Sequence, residues 1–207
     1  MRIGVLSLQG DFTEHIAALR EAGAEAEAVK KPEDVLSCAG LVIPGGESTT
    51  IGKLCVRFGV GDAILDLARR GAPMWGTCAG MILLAKEIEE SDQWRLGLMD
   101  IAVRRNAFGR QVDSFETDVP FQGIAGGPVR AVFIRAPYVA RVSGEARVLA
   151  TVRGRPHPLP PLLAGEGGEE MIIAARQGQF LATAFHPELT EDRRVQEYFV
   201  KMVREAM

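Results

Sequence analysis

Through the first half of the chain, short apolar runs alternate with amphipathic stretches. Residues 2–8 are β-rich and mostly apolar, and residues 11–22 carry apolar side chains at a helical spacing that stops before Gly23. Residues 24–29 predict a second strand, and Gly40-Leu41-Val42-Ile43 a third, ended by Pro44-Gly45-Gly46. Helical spacing returns from about Ser48 and again over residues 61–70, closed by Gly71. Pro73-Met74-Trp75-Gly76 then predicts a short strand that runs into a helix carrying residues 79–86. A strand buried on both faces reads as a continuous apolar run. The alternation therefore predicts an α/β fold, with a mostly parallel central sheet flanked by helices on both faces.

From about Gly97 the rhythm changes. Residues 111–119, 129–134, 147–152, 171–175 and 180–184 have strand character with little helix between them, which predicts additional antiparallel strands in the C-terminal half. Residues 191–207 predict a closing amphipathic helix whose apolar positions include Val195, Tyr198, Phe199, Met202 and Val203. Residues 154–168 are rich in Pro and Gly and read as an exposed loop rather than a linker. With no internal repeat, residues 1–207 are expected to form a single domain with a Pro/Gly-rich loop insertion at 153–168.

Composition narrows the class further. Of the 207 residues, 47% are apolar and 25% are charged, the make-up of an ordinary folded chain with a sizeable core. A formal net charge of −3, with no Lys/Arg cluster, leaves no footprint for nucleic acid. Residues 1–10 are apolar but too short for a signal sequence, Gln9 and Asp11 interrupt them, and no apolar run approaches a membrane span. Neither nucleic acid nor a membrane is expected as a partner. Cys38, Cys55 and Cys78 are few and odd in number, which fits free thiols in a reducing cytoplasm better than a disulfide framework. No Cys-x-x-Cys or His-x-x-x-His spacing occurs, so no metal is expected.

The chemistry concentrates in three short segments. Gly76-Thr77-Cys78-Ala79-Gly80 has the glycine–x–nucleophile–x–glycine form of a nucleophile elbow, where a strand is predicted to meet a helix. Such a turn strains the nucleophile's backbone, and flanking glycines relieve the crowding. The helix N-terminus favours thiolate over thiol, and the Ala79 amide is placed to donate to an oxyanion. Taken alone, the pentapeptide also suits a small buried cysteine at a tight turn.

Phe185-His186-Pro187-Glu188 shifts that balance, because it follows another strand-like run. A cysteine nucleophile needs a base, and the base needs an acceptor that fixes its tautomer. A lone His-x-Glu is more often a hydrogen-bonded turn histidine beside a solvated acid. Next to a cysteine elbow it reads as the rest of a triad. The third segment, Pro44-Gly45-Gly46-Glu47-Ser48-Thr49-Thr50, ends a strand at the edge where open α/β sheets bind ligands. Its glycines allow close backbone approach, and the Gly46 amide can supply a second oxyanion donor. Ser48 or Thr49 can cap the helix that follows. A phosphate loop is disfavoured, because Gly52-Lys53 lacks the Ser/Thr that completes that signature.

In this order the segments resemble the triad-type (class I) glutamine amidotransferases. Neighbouring residues narrow the likeness to the glutaminase subunit of the two-component pyridoxal 5′-phosphate synthases. Leu8-Gln9-Gly10 with Glu14-His15, Gly45-Gly46-Glu47-Ser48-Thr49-Thr50, and Gly76-Thr77-Cys78-Ala79-Gly80 carry its first half. Arg105-Asn106-x-Phe108-Gly109-Arg110-Gln111-x-x-Ser114-Phe115, Phe133-Ile134-Arg135-Ala136-Pro137, and Phe185-His186-Pro187-Glu188-Leu189-Thr190 carry the rest, so it spans almost the whole chain.

The resemblance implies a flavodoxin-like glutamine amidotransferase fold with Cys78, His186 and Glu188 as its catalytic residues. It implies that Gly46, Glu47, Ser48, Arg105, Ile134 and Arg135 form the glutamine pocket, and that Gly46 and Ala79 supply the oxyanion donors. The implied reaction hydrolyses L-glutamine to L-glutamate and ammonia without a cofactor. The ammonia would pass to a synthase subunit docked in a hetero-oligomeric complex. A zwitterionic substrate needs a cation for its carboxylate and acceptors for its ammonium, roles that suit Arg105 and Glu47. Without the resemblance, Arg104, Arg105 and Arg135 would read as solvated charge.

One departure stands out. The family passes between its last strands by a short turn, whereas residues 153–168 here insert Pro-His-Pro-Leu-Pro-Pro and a Gly-rich tail. His157 in that insert reads as a loop residue, and His15 as structural or interface-related. Two other functions stay open. One is the glutaminase subunit of another synthase, such as the imidazole glycerol phosphate enzyme. The other is a reactive-cysteine sensor or chaperone on a similar sheet, which would need neither Glu188 nor a glutamine pocket.

Overall fold

The structure, a computed structural model, describes residues 1–105, 114–154 and 169–207. Most of the Arg-Asn-x-Phe-Gly-Arg-Gln segment, nearly all of the loop insertion and His157 lie outside the described residues. In chain order, β1 (Arg2–Leu6), α1 (Phe12–Glu21), β2 (Glu25–Val29), α2 (Pro32–Leu36) and β3 (Gly40–Ile43) come first. Then follow α3 (Ser48–Arg57), α4 (Val60–Arg69), β4 (Met74–Thr77), α5 (Ala79–Leu84), β5 (Ala85–Ile88) and β6 (Met99–Arg104). The strands β7 (Phe115–Val119), β8 (Val129–Phe133), β9 (Tyr138–Val142), β10 (Arg147–Gly154), β11 (Glu169–Gln177) and β12 (Phe180–Thr183) precede the closing helix α6 (Arg194–Glu205).

The main sheet runs β2-β1-β3-β4-β12-β11-β9-β6-β5, with β10 paired to β11, while β7 and β8 form a separate antiparallel pair. From β2 to β12 all neighbours are parallel. Beyond β12 the partners β11, β9 and β6 are antiparallel, and β5 joins β6 in parallel. The predicted division of the chain is thus observed: a parallel half built first and an antiparallel extension built later.

Two successive residues of β4 show why both faces are covered. Side chains alternate along a strand. Trp75, fully buried, meets His15 of α1 edge-on at 5.6 Å between ring centroids and packs on Phe199 of α6, also at 5.6 Å. Gly76 points the other way, where a Cβ would lie 2.8 Å from Leu84 of α5. The Trp75 indole N–H donates to Thr183 Oγ1 at 3.1 Å, so the one polar atom of that side chain is satisfied inside the core. No helix among the described residues is long and apolar enough to cross a membrane.

The structure corrects the predicted elements in several places. The helix predicted over residues 79–86 stops at Leu84, because Ala85 turns extended (φ −65°, ψ 142°) and opens β5. The helix predicted over residues 191–207 occupies Arg194–Glu205, and it buries Val195, Phe199, Met202 and Val203 as its spacing demands. The strand expected from residue 111 is described from Phe115 onward. The elements α2, β5, β6 and β9 were not anticipated. α2 is too short to show a period and starts at Pro32, whereas β9 is largely half-buried and lacks a clean alternation.

Candidate functional site

Cys78 leaves β4 in a conformation few residues adopt, φ 47° and ψ −101°. The flanking glycines permit it. A Cβ on Gly76 would sit 2.4 Å from the Gly80 carbonyl, and one on Gly80 would sit 2.0 Å from the Ile43 oxygen. The backbone then fixes the turn. Cys78 N–H donates to the Thr183 carbonyl at 2.8 Å, and the Cys78 carbonyl accepts from Ile82 N–H at 3.4 Å to open α5. The predicted nucleophile is therefore the first residue before a helix, at the C-terminal end of a parallel strand.

β12 lies beside β4 with Thr183 opposite Thr77, so the segments after both strands emerge at the same edge. His186 N–H donates to the Val132 carbonyl of β8 at 2.8 Å. Pro187 then starts a 3-10 turn that brings Glu188 back to the ring, and His186 Nδ1 donates to Glu188 Oε1 at 2.7 Å. Cys78 is close enough to the imidazole to help raise its pKa. Cys78, His186 and Glu188 thus lie in one neighbourhood, and their exposures are only 8%, 3% and 5%.

Burial makes the electrostatics strong. Desolvation would lower the His186 pKa, but Cys78 and Glu188 beside it raise it from 6.5 to about 10. Desolvation would raise the Glu188 carboxyl, yet His15 and His186 hold it below the usual carboxylate range. Space is equally tight: a Cβ on Gly45 would come within 2.4 Å of His186 Cε1.

Cys78 opens into a cavity of about 170 Å³. Gly46, Glu47 and Ser48 form one side of its wall, Ala79 and Ile82 lie beside the sulphur, and Arg105, Ile134, Arg135 and Pro137 complete it. Every residue predicted for the substrate pocket lies on this wall. Its size and lining suit a small polar metabolite. A roomier cleft of about 420 Å³ between Arg2, Arg20 and Glu27 contains no nucleophile, so volume alone does not locate the chemistry. Arg135 has a left-handed backbone, φ 46°, and its neighbour Ile134 is 39% exposed.

Hydrogen bonds fix the loop above the cavity. Glu47, rather than Ser48 or Thr49, caps α3, its Oε2 accepting from Thr50 N–H at 2.7 Å and from Thr50 Oγ1 at 3.0 Å. The two smaller side chains are engaged elsewhere: Ser48 Oγ and Thr49 Oγ1 donate to Gln93 Oε1 at 3.3 and 3.2 Å. Burial opposes ionisation of Glu47, but the Thr50 hydrogen bonds prevail and hold its carboxyl below the usual range. Arg105 donates to the same Gln93 oxygen at 2.8 Å and lies 3.4 Å from Glu47 Oε1. Gln9 Oε1 accepts from Glu47 N–H at 2.8 Å.

Gln93 was missed in the sequence, because it sits in an irregular segment with no motif around it. Gln9 belonged to a quoted segment without a role. His15 is wholly buried, which leaves the structural half of its reading, and its Nε2 lies 3.0 Å from Thr77 Oγ1. Asp11, His186 and Glu188 offer ligand atoms within 4.8 Å of one another. His186 Nδ1 is already committed to Glu188, so a metal there would have to break the ion pair.

Comparison with known proteins supplies the family. The sequence model of the SNO glutamine amidotransferase family matches residues 5–205. A "Pyridoxal 5′-phosphate synthase subunit PdxT" of Rhodococcus opacus is 52% identical over 204 residues, covering 98% of this chain and 96% of its own. A protein of the same name from Moorella thermoacetica is 50% identical over 203 residues, covering 98% and 100%. A solved structure described as a glutamine amidotransferase superposes with a TM-score of 0.83 at 45% identity, covering 98% of each chain.

Proposed function

The chain belongs to the SNO glutamine amidotransferase family, and from that premise we propose that it hydrolyses L-glutamine to L-glutamate and ammonia for a pyridoxal 5′-phosphate synthase subunit. The observation that carries the reading is His186 hydrogen-bonded to Glu188 at 2.7 Å, with Cys78 close enough to raise the pKa of the same ring. The relatives named for a pyridoxal 5′-phosphate synthase subunit support the destination of the ammonia.

In this reading the Cys78 sulphur attacks the side-chain amide carbon of glutamine, and the amides of Ala79 and Gly46 receive the oxyanion. His186 delivers its proton to the leaving ammonia as the carbon–nitrogen bond breaks. It then takes a proton from water, whose oxygen displaces the sulphur and releases glutamate. Glu188 holds the ring's tautomer and stabilises its charged form. Arg105 faces the substrate carboxylate and Glu47 its ammonium, with Ser48, Ile134 and Arg135 shaping the pocket. Free ammonia is protonated in water and lost to chemistry, which explains a docked partner that receives it internally. The reaction needs no cofactor or metal, and the free thiols suit a reducing cytoplasm. Residues 1–207 act as one amidotransferase domain that carries the Pro/Gly-rich insertion 153–168.

Ammonia release from glutamine, measured with and without a pyridoxal 5′-phosphate synthase subunit, tests the proposal. Activity is expected to rise sharply with the partner and to vanish in Cys78→Ala. Ammonia production that survives Cys78→Ala would overturn the mechanism. Activation by a different synthase, such as the imidazole glycerol phosphate enzyme, would redirect the product.

A further inference from the structure

His15 takes no step in the chemistry proposed above, yet it is a titratable group with no exposure to solvent, placed on α1 against two of the segments that form the site. Its Nε2 lies 3.0 Å from Thr77 Oγ1, on the residue before the nucleophile, and 3.3 Å from Glu188 Oε2. Glu188 thus stands between two imidazoles, with Oε1 on His186 and Oε2 facing His15. Oε2 is buried without a hydrogen-bond partner among the described residues, and so is His15 Nδ1.

The tautomer follows from these contacts. With the proton on Nδ1, a buried N–H would lack an acceptor and the Nε2 lone pair would face a carboxylate oxygen. With the proton on Nε2, the N–H donates to Thr77 and turns its positive end toward Glu188. Four charged or titratable groups face the ring. Glu188, Asp11 and Glu14 favour its protonation and His186 opposes it, but burial outweighs them and lowers the His15 pKa below 6.5. The ring is therefore neutral around pH 7.

We infer that His15 is a positioning residue, a neutral Nε2–H imidazole that ties Thr77 to Glu188 and thereby aligns Cys78 with His186. The Thr77 contact fixes the start of the elbow. The Glu188 contact keeps the free carboxylate oxygen oriented and ionised, so that the other oxygen fully supports protonated His186. The inference rests on the proposed glutaminase reading.

The test uses the full chain with the synthase subunit. His15→Phe keeps a ring against Trp75 and removes the N–H, whereas His15→Gln returns an amide N–H at similar reach. His15→Phe should lose kcat roughly 10- to 100-fold, the size of one hydrogen bond to a charged group. KM should hold within about twofold, as expected when only transition-state alignment is lost. The alkaline limb of kcat/KM, where His186 (facing Cys78, Glu188 and Asp11) gives up its proton, should move to lower pH. His15→Gln should recover most of both. Wild-type kcat and limb in His15→Phe, or equal losses in the two variants, would overturn the inference. Nitrogen-15 NMR of the wild-type chain decides it even where His15→Phe does not fold: the His15 signals should report a neutral ring protonated at Nε2 around pH 7, and the other tautomer or a charged ring would overturn it. A wild-type complex inactive on glutamine would sink the proposed function, while the NMR result would still judge His15.

Discussion

The backbone N–H of Cys78 donates to the carbonyl of Thr183 at 2.8 Å, which ties the elbow to the strand that leads to His186. Sulphur and imidazole converge because two parallel strands far apart in the sequence end level, with Thr77 opposite Thr183. The relationship makes the site a property of the sheet's C-terminal edge and leads to four expectations beyond the tests already stated.

Glu188→Gln should fold, because the side chain keeps its volume and hydrogen-bonding reach. It loses the charge that supports protonated His186 and leaves the ring's tautomer unfixed. With the synthase subunit present, kcat should fall about 10²- to 10⁴-fold while KM changes little, by analogy with the orienting acid of other triads. Steady-state ammonia release reads this directly, and a loss confined to KM would remove Glu188 from the mechanism.

Gly45→Ala should damage activity through space alone. The added Cβ would lie 2.4 Å from His186 Cε1, closer than any relaxed contact, so the imidazole must shift off Cys78. A displacement of about 1 Å in a catalytic group is worth on the order of 10²-fold in rate. Circular dichroism should show an unchanged fold, and activity near wild type would mean that the ring has room to spare.

Gln93→Ala should act on substrate binding rather than chemistry. It frees Ser48, Thr49 and Arg105 from the one oxygen that gathers them. KM for glutamine should rise several-fold with kcat within about twofold, the pattern of lost uniform binding. A fall in kcat at constant KM would place Gln93 with the catalytic line instead.

Stability should depend on pH through His186. Its folded pKa of about 10 lies above the 6.5 of the unfolded chain, so the fold holds that proton more tightly. The resulting stabilisation is complete below pH 6.5 and fades as pH rises through about 10. Tm of the isolated chain should decline across that window. Cys78→Ala removes one of the two groups that raise the pKa and should flatten the decline. Identical slopes for both proteins would assign the decline to other groups.

The local geometry was legible in the sequence because its demands are local. Cys78, held at φ 47°, needs small neighbours on both sides, and Gly76 and Gly80 declare that need within five positions. An acid that must return to its own histidine needs a short stiff turn, and His186-Pro187-Glu188 spells one out. The continuous apolar runs of β1, β3 and β4 likewise announced strands buried on both faces.

What only the tertiary structure decided is which distant segments meet those local devices. The order that seats β12 beside β4 is a long-range pairing with no signal in either strand, yet it brings His186 to Cys78. The same holds for His15 against Glu188 and Gln93 beneath Arg105, single side chains whose partners lie 173 and 12 positions away in the chain (188 − 15 and 105 − 93). Capping fell to Glu47 because α3 starts at Ser48, which leaves Ser48 and Thr49 inside the helix, where their hydroxyls donate to Gln93 instead. A residue's neighbours along the chain set what conformation it tolerates, whereas its neighbours in space set its charge state, its orientation and therefore its chemistry.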